Sequence, residues 1–342
     1  MPMAEYIENI FQSRRIPFSN QENPWEQGDK KMNEYKPEGA LIGSTRNYRL
    51  TSTVEGLKRA QASGEILEAR AVLCDHNFNL HVDLGSGIRA MIPRDEVQMC
   101  REGERVKDIA ILTRVGKTVC FKVMGFDTLA SGDSMVILSR RAAQVECAVN
   151  YTDTLIPGDI IQTKITHLES FGAFVDIGCG ITSLLSIDSI SVSRIAHPGA
   201  RLSTGDIIYT VVKSIDERGR IYVSERELLG SWEENAARFS EGQTVRGIIR
   251  SVESYGVFVE LRPNLAGLAE YRADAKPGQT AAVYIKSIIP EKMKIKLIII
   301  DAHDAPHYAE PLEYFIDINN VTHMDSWVYS PPSCKRVIES VF

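Results

Sequence analysis

Ser170-Phe171-Gly172-Ala173-Phe174-Val175 and Ser254-Tyr255-Gly256-Val257-Phe258-Val259 are the same phrase written twice, 84 positions apart. The match extends without a gap from Pro157-Gly158-Asp159 to Ile177 in one copy and from Glu241-Gly242-Gln243 to Leu261 in the other. Further on, Val212-Lys213-Ser214-Ile215 is answered by Ile285-Lys286-Ser287-Ile288. A third, more diverged copy lies upstream, where Phe78-Asn79-Leu80-His81-Val82-Asp83-Leu84-Gly85 aligns with Phe171 to Gly178. It closes on Val136-Ile137-Leu138-Ser139-Arg140-Arg141, the counterpart of Ile221-Tyr222-Val223-Ser224-Glu225-Arg226. Self-similarity of this kind means one structural unit used repeatedly.

Each unit is written in strand periodicity. Ile160-Ile161-Gln162-Thr163-Lys164-Ile165, Ala173-Phe174-Val175-Asp176-Ile177 and Ile207-Ile208-Tyr209-Thr210-Val211-Val212 are short, β-branched and separated by Gly, Asp and Pro. Regular short strands of this sort build small barrels or sandwiches. Leu228 to Phe239 is the exception, with Trp232, Ala236 and Phe239 at helical spacing, and predicts one short connecting helix. Upstream, Asn20 to Pro24 and Tyr35 to Gly39 are polar and broken by Pro and Gly, as linkers are. Two helices are expected there, at about 4–14 and 52–62. The second takes Thr51, Ser52 or Thr53 as N-cap and Glu55 into its first turn.

The pattern G-x-x-x-x-x-I-x-x-[FY]-G-x-F-V-x-[IL], then an apolar strand, then G-D-x-[IV]-x-x-x-V-x-x-I-D-x-x-x-R-I, resembles the S1 RNA-binding domain. The linker Glu227-Leu228-Leu229-Gly230-Ser231-Trp232-Glu233-Glu234-Asn235 is similar to inter-repeat segments of multi-repeat members. So is Ala90-Met91-Ile92-Pro93-Arg94-Asp95-Glu96-Val97 to a strand and turn of their early repeats. The resemblance implies an all-β chain: a tandem array of three five-stranded oligonucleotide-binding (OB-fold) barrels with short helical linkers and irregular terminal extensions. The expected divisions are an extension over 1–63, S1-type barrels at 64–141, 157–226 and 241–298, a helical linker at 227–240 and an acidic extension over 299–342.

The F-G-x-F spacing has a physical reading of its own. Residues three apart on a flat strand point to opposite faces, and a Gly beside the first aromatic permits a bulge that re-aims it. Phe171 and Phe174, or Tyr255 and Phe258, either fill their barrel or share its open face, where they stack on unpaired bases. The resemblance favours the open face and implies further contacts. In the second copy these are Asp216 and Arg220, Lys164, and Ser186 where many members carry His. In the third, Lys294 stands near the place of the Arg, Arg250 and Lys286 add charge together with Arg246, Lys292 and Lys296, and Glu270 occupies the His position. The first copy departs most. Phe78 stands at the first aromatic position, His81 replaces the second, Asn79 replaces the Gly and Pro93 takes the His site. Asp127 aligns with Asp216 but no Arg follows at the matching distance. Phe78 and His81 stand as candidate RNA contacts, and docking onto another protein, as divergent early repeats of the family do, is the alternative for this copy.

Composition bounds the rest. The 342 residues are 44% hydrophobic and 25% charged, which excludes a wholly disordered chain. No apolar run approaches a membrane span, and Met1-Pro2-Met3-Ala4-Glu5 does not open a secretory signal. The formal charge of −6 argues against nucleic acid until it is located. Residues 299–342 hold 2 basic and 7 acidic side chains, leaving the repeats almost neutral. The tail's Tyr308, Tyr314, Phe315, Trp327 and Tyr329 are read as packing against a barrel. Six dispersed cysteines fit neither a zinc ribbon nor a disulfide framework and point to a reduced cytoplasmic setting. His303 and His307 lack the Glu of H-E-x-x-H, and Ala305-Pro306 disfavours a helix there, so no metal site is expected. Walker and nucleophile-elbow motifs are missing. The expectation is a monomeric, cofactor-free, non-enzymatic protein. Its partners would be single-stranded RNA, mRNA in particular, and the small ribosomal subunit. An RNA-turnover or transcription accessory, or a protein-interaction scaffold, are the alternatives.

Overall fold

One strand order occurs three times in the computed structural model of the chain, each time as a closed five-stranded barrel. The structure describes residues 35–85, 87–100, 103–128, 134–304 and 312–342; the helix expected at 4–14, His307 and Tyr308 lie outside them. The first barrel is built from β1 (Leu67–Cys74), β2 (Leu80–Asp83), β3 (Arg89–Ile92), β4 (Thr118–Thr128) and β5 (Ser134–Ser139). The second uses β6 (Ile160–Glu169), β7 (Gly172–Asp176), β8 (Thr182–Ser186), β9 (Ile207–Ile215) and β10 (Ile221–Ser224). The third uses β11 (Thr244–Glu253), β12 (Gly256–Arg262), β13 (Leu265–Ala269), β14 (Thr280–Ile289) and β15 (Lys294–His303). In each, the third strand pairs in parallel with the fifth and every other pair is antiparallel. Strand β15 runs five residues past the boundary at 298 and stays paired with β14 up to His303.

Helices fill the joints. Ahead of the first barrel stand α1 (Thr45–Thr51), inside the extension and beyond its linker-like stretch, and α2 (Val54–Ser63), capped by the Thr53 hydroxyl. Its Leu57 and Ala60 enter the first barrel's core. Helix α3 (Asp108–Leu112) crosses between β3 and β4. The segment after β5, to which no element was assigned, is a helix, α4 (Arg140–Asn150). Helix α5 (Ile187–Ile190) follows β8. The linker helix, α6 (Trp232–Ala236), carries a capping box between Ser231 and Glu234 and drops Trp232 into the third barrel's core.

The first joint is polar and buried. Arg140, at the start of α4, donates to Glu38 Oε1 at 2.6 Å and Oε2 at 3.1 Å, and to the carbonyls of Val97 at 3.1 Å and Gly180 at 3.3 Å. The Glu38 N–H donates to Asp176 Oδ2 at 2.7 Å, and the amides of Gly178 and Gly180 donate to Asp176 Oδ1. Burial pushes the Glu38 carboxyl up, but the Arg140 guanidinium outweighs it and holds Glu38 below the usual carboxylate range. Burial and the Glu38 charge push Asp176 up to about 7.

At the second joint, Asn264 is fully buried and accepts from Val192 N at 2.9 Å while donating to the carbonyls of Arg226 and Gly230. Glu260 is gripped by Arg250, at 2.9 and 3.0 Å, and by Arg201. The C-terminal segment is a third brace. Its hairpin of β16 (Ser326–Val328) and β17 (Glu339–Val341) places Trp327 and Tyr329 in the third barrel's core. Tyr314 lies edge-on to Tyr209 of the second barrel at 5.8 Å. Ile160 N donates to Thr322 O at 2.8 Å, and Met324 N to Gly158 O at 2.9 Å. The described tail aromatics therefore pack as the sequence suggests. Glu313 is held by Arg238 and Arg262 at 2.5 and 2.7 Å.

Glu225 is buried beside this brace, next to the Tyr314 hydroxyl. Burial pushes it up to about 8, the Arg201 charge offsetting only part of that. An unfolded glutamate ionises near 4.3, so between there and 8 the folded chain binds the extra proton. Stability contributed by the neutral form is then complete at low pH and falls by of order 1 kcal/mol per unit as pH rises through that window. Glu225→Gln removes the ionisation. Urea unfolding should show the variant gaining on the wild type from pH 5 to pH 8; a gap that does not widen refutes the assignment.

Candidate nucleic-acid interface

Register places the rings. In the second barrel the outward row runs His167, Phe174, Leu184, Tyr222, Ser214, one residue from each strand in barrel order. In the third it runs Ser251, Phe258, Leu268, Lys296, Ser287. In the first it runs Leu73, His81, Met91, Ile137, Gly125. Directly paired residues share a face, and the chain neighbours of Phe174, Leu184 and Tyr222 on either side are buried while these three are half-exposed. Phe174 and Phe258 therefore look outward.

Phe171 and Tyr255 reach the same side by another route. Each stands in the two-residue connection before β7 or β12, not on a strand. They are 52% and 67% exposed. Phe171 meets Phe174 edge to face with centroids 6.0 Å apart and planes at 87°, and Tyr255 meets Phe258 at 6.1 Å and 87°. The bulge expected at the glycine sits instead on the preceding strand, between Ile165 and His167 and between Ile249 and Ser251. The glycines serve a close approach. A Cβ on Gly172 would stand 2.4 Å from Leu185 O, and one on Gly256 2.5 Å from Ala269 O.

The remaining candidates divide. Asp216 Oδ1 accepts the amides of Arg218 and Arg220 at 2.9 and 2.8 Å, which fixes the β9–β10 turn and leaves the Arg220 side chain 52% exposed beside the row. Ser186 Oγ donates to Ser189 Oγ at 2.8 Å at the end of β8. Lys286 and Lys294 are exposed. Lys164 and Arg250 are not free cations. Lys164 Nζ donates to the Glu38 carbonyl at 2.7 Å, and Arg250 is the partner of Glu260. Both were expected at the RNA face because a single sequence does not show which carboxylate or carbonyl a buried joint will bring to them. Glu270 is exposed at the edge of β13.

The first barrel offers a different surface. Phe78 is half-buried under the Arg94 guanidinium, 4.8 Å from the ring centroid. His81 Nε2 lies 3.3 Å from Asp75 Oδ2. Its row is aliphatic at Leu73, Met91 and Ile137. Sequence reading overlooked Tyr222 and Leu184 as members of the outward row. An aromatic set between two β-branched residues in Ile221-Tyr222-Val223 was the available signal.

No helix of the described residues is long and apolar enough to cross a membrane. All six cysteines are free thiols. Residues 154–226 match the model of the S1 RNA binding domain. The chain is 28% identical over 285 residues to small ribosomal subunit protein bS1 of Staphylococcus aureus, covering 78% of this chain and 70% of that protein. It is 27% identical over 278 residues to the Staphylococcus saprophyticus protein of the same name, covering 76% and 67%. Among solved structures it is similar to a multidomain protein with nucleic acid binding domains from Streptococcus pneumoniae. That match is 15% identical with a TM-score of 0.23, over 69% of this chain and 73% of the other. It is also similar to GSP13 from Bacillus subtilis, 26% identical with a TM-score of 0.22, over 26% and 75%.

Proposed function

We propose, from the premise that residues 154–226 are an S1 RNA-binding domain, that the chain binds single-stranded RNA, mRNA among it, on its second and third barrels. One observation carries the reading: two outward ring pairs, Phe171–Phe174 and Tyr255–Phe258, in the same edge-to-face geometry at the same place in two barrels. Every base has a π-face, so such platforms take unpaired bases with little regard to sequence. No catalytic step is part of this reading. The likeness to bS1 proteins supports association with the small ribosomal subunit in the cytoplasm. In that setting the aliphatic row of the first barrel, with Phe78 covered and His81 engaged, suits contact with another protein better than with RNA.

A labelled single-stranded RNA and the duplex of the same sequence, titrated at several salt concentrations, test the proposal. The single strand should bind and the duplex should bind markedly less. Each phosphate neutralised contributes ~−0.7 to the slope of log K against log salt. With Arg220, Lys286, Lys294 and Lys296, all exposed, as the phosphate contacts, the slope should be no steeper than about −3. Equal affinity for duplex, or no binding of the single strand, defeats the reading. Co-sedimentation with small ribosomal subunits tests the setting, and absence from that fraction counts against it.

A further inference from the structure

Tyr222 and Lys296 occupy one and the same position of the barrel. Each lies on the fifth strand, each pairs in parallel with the outward leucine of the third strand (Leu184 or Leu268), and that leucine pairs with the outward phenylalanine (Phe174 or Phe258). The chemistry at this shared position is opposite. Tyr222 adds a half-exposed ring two strands from Phe174, its hydroxyl 3.5 Å from Asp216 Oδ2 in the turn that displays Arg220. Lys296 is an exposed ammonium. Lys294 stands two residues back on the same face of β15, and Lys286 sits at the bulge of β14 across from it. Among the described residues the ammonium groups of these three lysines have no ion-pair or hydrogen-bond partner.

We propose that this single position divides the work of RNA binding between the two barrels. Tyr222 is a third stacking ring, so the second barrel holds RNA chiefly by its bases. Lys296 is a phosphate contact, so the third barrel holds it chiefly by its backbone. The inference rests on the RNA reading above and goes beyond it by assigning each barrel its own chemistry. Stacking is little affected by salt, whereas each phosphate contact releases counterions. The two roles therefore leave separate marks on one titration series.

The experiment measures affinity of the full chain for single-stranded RNA across a salt series, with Tyr222→Ala, Tyr222→Phe, Lys296→Ala, and Phe174→Ala for reference. Tyr222→Ala should weaken binding by about 5- to 150-fold without changing the slope. Tyr222→Phe, which keeps the ring, should recover most of the affinity that Tyr222→Ala loses. Lys296→Ala should make the slope shallower by ~0.7. The reciprocal exchanges, Tyr222→Lys and Lys296→Tyr, should steepen and flatten it by the same amount. If the wild type binds and Phe174→Ala weakens it while Tyr222→Ala does not, the division of work is wrong and the RNA reading stands. An unchanged slope in Lys296→Ala also overturns it. If the wild type does not bind, the RNA reading itself falls.

Discussion

Single-stranded RNA titrated against the Phe171→Ala/Phe174→Ala variant is expected to bind at least about 30-fold more weakly than against the wild type. Stacking is worth ~1–3 kcal/mol per base, and two rings are removed. The rings also hold each other. An edge-to-face pair contributes ~0.5–1.5 kcal/mol, so either single substitution loosens the ring that remains and the two losses do not add. Phe171 is 52% exposed, so the folded state gives up little when it is truncated. Thermal unfolding should confirm that the variant remains folded, which separates lost binding from lost structure. Tyr255→Ala/Phe258→Ala should show the same pattern in the third barrel, with a smaller loss, because Lys286, Lys294 and Lys296 remain to hold phosphate. A double variant that binds as tightly as wild type would show that the rings are barrel surface and nothing more.

Arg140→Ala should be the most destabilising single change at the first joint. The guanidinium is 1% exposed and is the main partner of the Glu38 carboxylate. Removing one half of a buried pair leaves the other charge without its counterion and costs ~3–5 kcal/mol. Arg114, 3.6 Å from Glu38, recovers only part of this. The pH dependence identifies the cause. In the wild type Arg140 holds Glu38 low, so Glu38 stays ionised in the folded state until strongly acid pH. Without Arg140, burial dominates and raises it, and the folded state then prefers the protonated acid. The variant should lose stability as pH rises through the acid range, so its deficit in urea unfolding should be larger at pH 8 than at pH 5. Arg140→Ala/Glu38→Gln should recover part of the loss. A deficit independent of pH would mean that packing, not charge, is what Arg140 supplies.

The strand content and the threefold repetition were legible because barrels are local. β6 and β7 are joined by two residues, and Gly172 and Gly256 mark in the chain where the next strand passes too close for a Cβ. The ring pair was legible for the same reason, although its mechanism was not. Phe171 escapes the alternation of the strand by standing in the turn, while the bulge falls on the strand before it. The joints were hidden. Glu38 and Arg140 are 102 residues apart, and Tyr329 reaches Asn264 across 65. A polar side chain bound for such a contact looks, in sequence, like any surface charge. Lys164 and Arg250 are engaged in such contacts, which the sequence does not announce, and the place of Tyr222 in the outward row depends on two strand pairings at once.

The brace contributed by the C-terminal segment has a consequence in time. Gly158, Asp159 and Ile160 open the second barrel, yet their outer partners are Met324, His323 and Thr322. Domains ordinarily mature in the order they are synthesised, N-terminal first. Here the entry to the second barrel waits for residues translated more than 160 positions later. A nascent chain that has already completed its second barrel still shows the bare edge that Thr322 and Met324 will cover. Such chains are the ones a holding chaperone should meet, and a stop codon near residue 310 would leave every strand of the three barrels in place while making that waiting state permanent.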